Sequence, residues 1–354
     1  MLMANFYRNK KVLITGHSGF KGAWLTHVLN YLGATVIGYS LPAPDPSLFV
    51  IAHARELAKN YFSDIRDFDS LLKCFKENEP DIVIHMAAQP LVLESYLDPK
   101  YTYETNVMGT VNVLECVRLT KSVKSFLNVT TDKVYKNREW CWGYRECEDL
   151  NGFDPYSNSK SCSELVTESY KNCFFQDREI GLSTARAGNV IGGGDFSTNR
   201  IIPDCIRAQI KHEKILVRNP NSIRPYQHVL EPLNAYLMIM QYQYGRYDRS
   251  TSYNVGPNEE DCIRTGDLVE LFCKEWNMRG GKAIWQSNAM QNQPHEANFL
   301  KLDCSYIKQR IGWYPRIDIQ TAVDMVCDWS LDWMAGKDVR EVMNKQIWKY
   351  FHEA

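Results

Sequence analysis

The chain has 354 residues, more than one small core can use and enough for about two domains. A formal net charge of −1 offers no broad basic field, which argues against a nucleic-acid partner held through phosphates. Its 44% hydrophobic and 23% charged residues are ordinary for a globular fold, and its 11 cysteines include no Cys-x-x-Cys pair, so no metal site is expected.

The first ten residues contain no sustained apolar run, and unpaired thiols suit a reducing cytoplasm. Lys11–Thr15 is a short apolar run of the buried-strand type. Gly16-His-Ser-Gly19-Phe-Lys-Gly22 follows at once, and residues 23–32 then read as a helix. Three glycines at that spacing between strand and helix form a dinucleotide-binding fingerprint. They permit a tight turn and a close backbone approach to pyrophosphate, while the helix N-terminus offers free N–H groups.

Residues 33–40 read as a second strand, ending in Ser40 with neither an acid nor an adjacent Arg, so NAD and NADP both stay open. A third strand over 59–63 precedes Asp64, which could bond an adenine edge or cap the next helix. A fourth strand, 81–89, ends in small residues, Ala87 and Ala88, that leave room for a flat cofactor. Gln89 beside them could reach a substrate hydroxyl or serve structurally. Asn106 is a polar residue in an apolar helical pattern and could bond the backbone of a neighbouring strand.

A fifth strand over 125–130 leads into Thr131, Asp132 and Lys133. The stretch Asp154-Pro-Tyr-Ser-Asn-Ser-Lys160 then looks like a helix start, with Tyr156 and Lys160 four apart on one face. An ammonium beside a phenol favours the phenolate below its usual pKa of about 10, giving a base for an alcohol proton. Residues 180–186 give a sixth strand. This alternation predicts a doubly wound parallel sheet, with ligands at the carboxyl ends of its strands. Beyond residue 190 the chain turns polar and Pro-containing, with Arg200, Arg207, Arg218 and Arg224 able as a group to clamp a diphosphate. The expected division is 1–188 plus about 226–254 for the dinucleotide-binding domain, and about 189–225 plus 255–354 for a smaller substrate domain. The apolar helix over 229–240 is too short and too polar to span a bilayer.

The glycine loop together with Tyr156-x-x-x-Lys160 resembles the extended short-chain dehydrogenase/reductase family over essentially the whole chain. Thr131-Asp132-Lys133 narrows the resemblance to its nucleotide-sugar 4,6-dehydratases, with Lys133 where a Glu is usual. Five longer blocks, among them Gly16-His-Ser-Gly-Phe-Lys-Gly22, His85-Met-Ala-Ala-Gln-Pro-Leu91 and Trp140-Cys-Trp-Gly-Tyr-Arg-Glu146, point to the branch that acts on CDP-glucose; another nucleotide sugar, or epimerisation, is the alternative. The resemblance implies NAD held by Gly16, Ser18, Gly19, Phe20, Lys21, Gly22, Ser40, Asp64, Ile65, Ala87, Ala88, Gln89, Asn106 and Thr130, with Tyr156 and Lys160. It implies Thr131, Tyr156 and Lys160 at the sugar carbon 4 hydroxyl, Asp132 as acid, and Lys133 as base or as a group steering Asp132. Gln89, Tyr135, Asn189, Arg200, Arg224 and His295 would meet the substrate. The aromatic stretch 138–148 would cover the sugar or form a packed cluster. A cytoplasmic homodimer, paired through the helices near 102–119 and 156–170, is also implied.

Overall fold

A computed structural model describes residues 2–288 and 299–353, so His295 lies outside the described residues. Seven parallel strands form the central sheet: β1 (Lys11–Thr15), β2 (Thr35–Ser40), β3 (Ala58–Phe62), β4 (Ile82–His85), β5 (Ser125–Thr131), β6 (Gly181–Ala187) and β7 (Ser252–Val255). Their order across the sheet is β7-β6-β5-β4-β1-β2-β3. The chain thus starts in the middle and winds outward both ways, which puts a crevice over the β1 and β4 tips. The first strand has the expected bounds. The edge strand β7 is one the sequence reading does not single out.

Helices cover both faces. On one lie α1 (Phe20–Tyr31) and, further along the chain, α6 (Leu230–Gln243); on the other lie α2 (Phe68–Asn78), α3 (Gly109–Leu119) and α4 (Pro155–Phe174). Trp24, Leu25, Val28 and Leu29 of α1 are fully buried. Burial of each such side chain is worth roughly 1.5–3 kcal/mol. A second core joins α5 (Ile201–Ile210), α7 (Thr265–Met278) and α8 (Ile319–Met334), while Val339, Met343 and Ile347 return to the first core.

The helix expected over 102–119 is broken. Pro99–Tyr103 is α-helical, Glu104–Met108 is a π-turn, and only then does α3 begin. A π-turn adds a residue to one turn, and here that residue set includes Asn106. The Asn106 amide accepts from the Gln89 backbone N–H at 2.8 Å and donates to its carbonyl at 3.1 Å and to Ser159 Oγ at 2.9 Å. It therefore pins the end of the β4 crossover to α4.

Candidate active site

The glycine turn is tightly built. A Cβ on Gly16, which has φ +78°, would lie 2.8 Å from the Ala87 nitrogen, and one on Gly22 would lie 2.2 Å from the Gly16 carbonyl oxygen. Gly19 differs: a Cβ there would meet only the Gly16 oxygen, at 3.4 Å, and Gly19 caps α1 with no side-chain bond. The first turn of a 12-residue helix is thus left without a side-chain cap behind a loop where only the Gly16 oxygen stands near Gly19. That arrangement fits the pyrophosphate of a dinucleotide.

Next to this loop lies a cleft of about 320 Å³, walled by the tips of β5 and β6, the start of α4, and the segments 187–204 and 216–226. Asp154 starts α4: its carboxylate accepts from the Ser157 N–H at 2.9 Å and the Ser157 hydroxyl at 2.6 Å, with Pro155 in the first turn. Tyr156 and Lys160 follow on the face that lines the cleft. Lys160 Nζ donates to the Val129 carbonyl of β5 at 3.1 Å. Burial and the nearby Lys21 lower the Lys160 ammonium to about 8, with Glu164 opposing.

At the end of β5 the backbone turns into one 3₁₀ turn, Asp132–Val134. The Thr131 hydroxyl donates to Asp132 Oδ1 at 2.9 Å. The Asp132 side chain is 1% exposed, yet Oδ2 has no partner among the described residues. Burial raises this carboxyl above its usual range; the Lys133 ammonium, the Thr131 hydroxyl and Arg224 pull the other way. A carboxyl raised in this way, with a free oxygen at a cleft wall, is placed to donate a proton.

The sequence model of the GDP-mannose 4,6 dehydratase family matches residues 13–326. The chain belongs to this family. It is 44% identical over 99% of its length to a CDP-glucose 4,6-dehydratase of Salmonella typhimurium, covering 98% of that protein. Solved structures share the fold at low identity. One is a UDP-glucose 4-epimerase of Thermotoga maritima with UDP-glucose, at TM-score 0.80 and 19% identity, with 92% of this chain and 99% of that one covered. Another is a dTDP-glucose 4,6-dehydratase of Bacillus anthracis in complex with NAD, at TM-score 0.76 and 18% identity, covering 91% and 97%.

The structure brings Phe20, Lys21, Ala88, Thr130, Thr131, Asp132, Lys133, Tyr156, Lys160, Asn189, Arg200 and Arg224 of this dehydratase chain to one cleft. It corrects the expected ionisation of Tyr156. Burial dominates over neighbouring charge and pushes the phenol up to about 12, against the Thr131 hydroxyl and Arg200. Several other expectations are decided by the internal partners that side chains find. Gln89 donates to the Leu91 carbonyl and Thr102 and accepts from the Leu91 N–H, so its amide takes the structural of its two expected roles and braces the loop after β4. Asn106 bonds the backbone at Gln89 just beyond β4, as its polar place in an apolar helical pattern suggests. Tyr135 is 2% exposed, with its hydroxyl donating to Asn254 at 2.6 Å and accepting from Arg186 at 2.9 Å, away from the cleft.

Of the expected cofactor residues beyond the glycine turn, Ser40 lies against it. Ser40 Oγ donates to Ser18 Oγ at 2.8 Å and lies 3.0 Å from His17 Nδ1. Asp64 accepts from the Arg66 N–H and its guanidinium, and Ile65 is packed in the core, a Cβ on Gly109 falling 2.8 Å from it. Arg207 leaves the expected clamp, because its guanidinium bonds Phe196, Ser197 and Asp204. No residue of 135–148 lines the cleft; Trp140, Tyr135 and Tyr144 form an aromatic cluster with Leu300 and Leu302. The sequence reading passes over Asp195, which anchors Arg200 at 3.0 Å, and over the wall formed by Leu216, Val217, Ser222, Tyr226 and Thr265. Polar residues in short loops carry no periodic signal that could have marked them. Among the described residues no helix is long and apolar enough to cross a membrane.

Proposed function

We propose that the chain is an NAD-dependent hydro-lyase that converts CDP-glucose to CDP-4-dehydro-6-deoxyglucose and water. The observation that carries this reading is the buried, half-partnered Asp132 carboxyl beside Thr131 and Tyr156 in one cleft. The likeness to the Salmonella typhimurium enzyme over nearly the whole chain supports CDP-glucose as the substrate, and the NAD bound in the Bacillus anthracis relative supports the cofactor. NAD fits the turn at Gly19, with Gly16, Ser18, Phe20, Lys21 and Gly22 around the pyrophosphate and Ser40, Asp64, Ile65, Ala87, Ala88 and Thr130 along its length.

Bound there, NAD supplies the acceptor for the hydride of sugar carbon 4 and its donor to carbon 6. Tyr156 takes the carbon 4 hydroxyl proton, oriented by Thr131, while the Lys160 ammonium favours the phenolate through charge. The resulting ketone acidifies carbon 5. We assign the base that accepts that proton to Lys133, which lines the cleft next to Asp132. Asp132 protonates the departing carbon 6 hydroxyl, so water leaves, and the proton on Lys133 returns to carbon 5 as carbon 6 is reduced. Asn189, Arg200 and Arg224 line the path for nucleotide and diphosphate, and guanidiniums suit phosphate oxygens. We assign 1–188 with about 226–254 to the cofactor and about 189–225 with 255–354 to the substrate, the last helix packing back on the first core through Val339, Met343 and Ile347.

Incubating the protein and NAD with CDP-glucose, dTDP-glucose, UDP-glucose and GDP-mannose in parallel tests this. The alkaline absorbance of a 4-keto-6-deoxy sugar should develop with CDP-glucose first. Turnover confined to another sugar would overturn the substrate assignment, and none with any would overturn the reaction. We place the enzyme in the cytoplasm as a homodimer. All the cysteines are free, and Met108, Leu119, Leu165 and Phe174 stand exposed on or next to α3 and α4. Light scattering should give twice the chain mass; a stable monomer at working concentration contradicts the dimer.

A further inference from the structure

One buried ion pair lies behind the cleft, outside the groups assigned to the reaction. Glu164 of α4 and Arg186 of β6 have side chains 2% and 4% exposed, with Arg186 Nη2 2.9 Å from Glu164 Oε2. The Glu164 carboxylate also accepts from the Thr184 hydroxyl at 2.6 Å and from the Thr130 hydroxyl. Glu164 is one helical turn beyond Lys160, so both side chains leave the same face of α4. Lys160 binds the Val129 carbonyl, and Glu164 binds the next residue, Thr130. Two consecutive turns of the helix thus grip two consecutive residues of β5, immediately ahead of Thr131 and Asp132. Arg186 extends the brace: Nη1 donates to the Tyr135 hydroxyl at 2.9 Å and to the Glu146 carbonyl at 3.0 Å.

We propose that Glu164, locked by Arg186, is a positioning residue: it holds α4 to β5 at Thr130, so that Lys160 stays on Val129, and it places a negative charge one helical turn from the Lys160 ammonium. A salt bridge serving stability alone would need neither the shared face with Lys160 nor the bond to the residue before Thr131. The charged and titratable groups facing Lys160 are Lys21 of α1, His85 of β4, and Tyr156 and Glu164 of α4. Lys21 disfavours the ammonium, burial holds His85 neutral by lowering it to about 3, and Tyr156 is a neutral phenol. Glu164 is therefore the one anion in that set.

The inference rests on Lys160 acting in the reaction, and a pH profile separates the two ideas. In the wild type, kcat should fall on the alkaline side as Lys160 loses its proton. If no such limb exists, the assignment of Lys160 fails. Glu164→Gln removes the charge and keeps an acceptor, so the limb should move to lower pH by about one unit, with the KM for CDP-glucose unchanged. Glu164→Asp retains the charge and should return the limb toward its original place. Should Glu164→Gln not fold, the double variant Glu164→Gln with Arg186→Met leaves no stranded charge; because the Arg186 cation goes too, its limb should move the same way by less. A folded variant lacking the Glu164 charge but keeping the wild-type alkaline limb overturns the proposal, as does an Asp variant shifted as far as Gln.

Discussion

Tyr156→Phe should lower kcat on CDP-glucose by about a hundredfold to ten-thousandfold, the range for removing a positioned acid–base group. Oxidation at carbon 4 comes first, so nothing downstream can proceed without it: no reduced nicotinamide should build up and no water should be lost. Substrate affinity should persist, because Asn189, Arg200 and Arg224 lie on other segments of the wall. A calorimetric titration with CDP-glucose alongside the rate measurement separates these effects. The phenol held at about 12 makes the expectation sharper. Such a group is a strong base once ionised, and Phe has no atom to replace it. Turnover of the Phe variant near the wild-type rate would remove Tyr156 from the reaction.

Asp132→Asn should stop the pathway one step later. The fall in product formation should again be about a hundredfold or more, since the carbon 6 hydroxyl loses its proton donor. Carbon 4 oxidation should survive, so reduced nicotinamide should accumulate in a single turnover, seen by its near-ultraviolet absorbance. The same variant carries a stability prediction. Burial raises the folded-state pKa of Asp132 above its unfolded value. The protonated carboxyl therefore contributes stability that is fully present below the unfolded pKa and is lost as pH rises through the folded one. Asn cannot ionise, so at neutral pH the variant should melt higher than the wild type, and the gap should close in acid. Thermal melts across that range check the sign; a variant less stable at neutral pH, with wild-type turnover, would contradict both roles.

Much of this was legible in the sequence because it depends on local spacing. The glycine turn, the first strand, and the four-residue interval between Tyr156 and Lys160 all follow from short-range rules of strand, turn and helix. The parallel, doubly wound sheet follows from alternation of elements. What could not be read depends on partners distant in the chain. Gln89 looks available until Thr102 and Leu91 are seen to hold it, and Tyr135 until Asn254 and Arg186 are seen to enclose it. The π-turn at Glu104–Met108 breaks a pattern whose apolar spacing is that of a plain helix. Spacing also misjudged Tyr156: it places an ammonium nearby, but burial decides the pKa. Glu164, one turn past Lys160, was within reach of the same helical argument.

The central claim is that one cleft moves a hydride from carbon 4 to carbon 6 of the same sugar while water leaves. CDP-glucose carrying deuterium at carbon 4, turned over by the wild-type protein with NAD in ordinary water, tests this directly by mass spectrometry and NMR of the product. The label should appear in the carbon 6 methyl group of a 4-keto sugar. Label lost to solvent, or retained at carbon 4 of a sugar that has kept its oxygen at carbon 6, would contradict it.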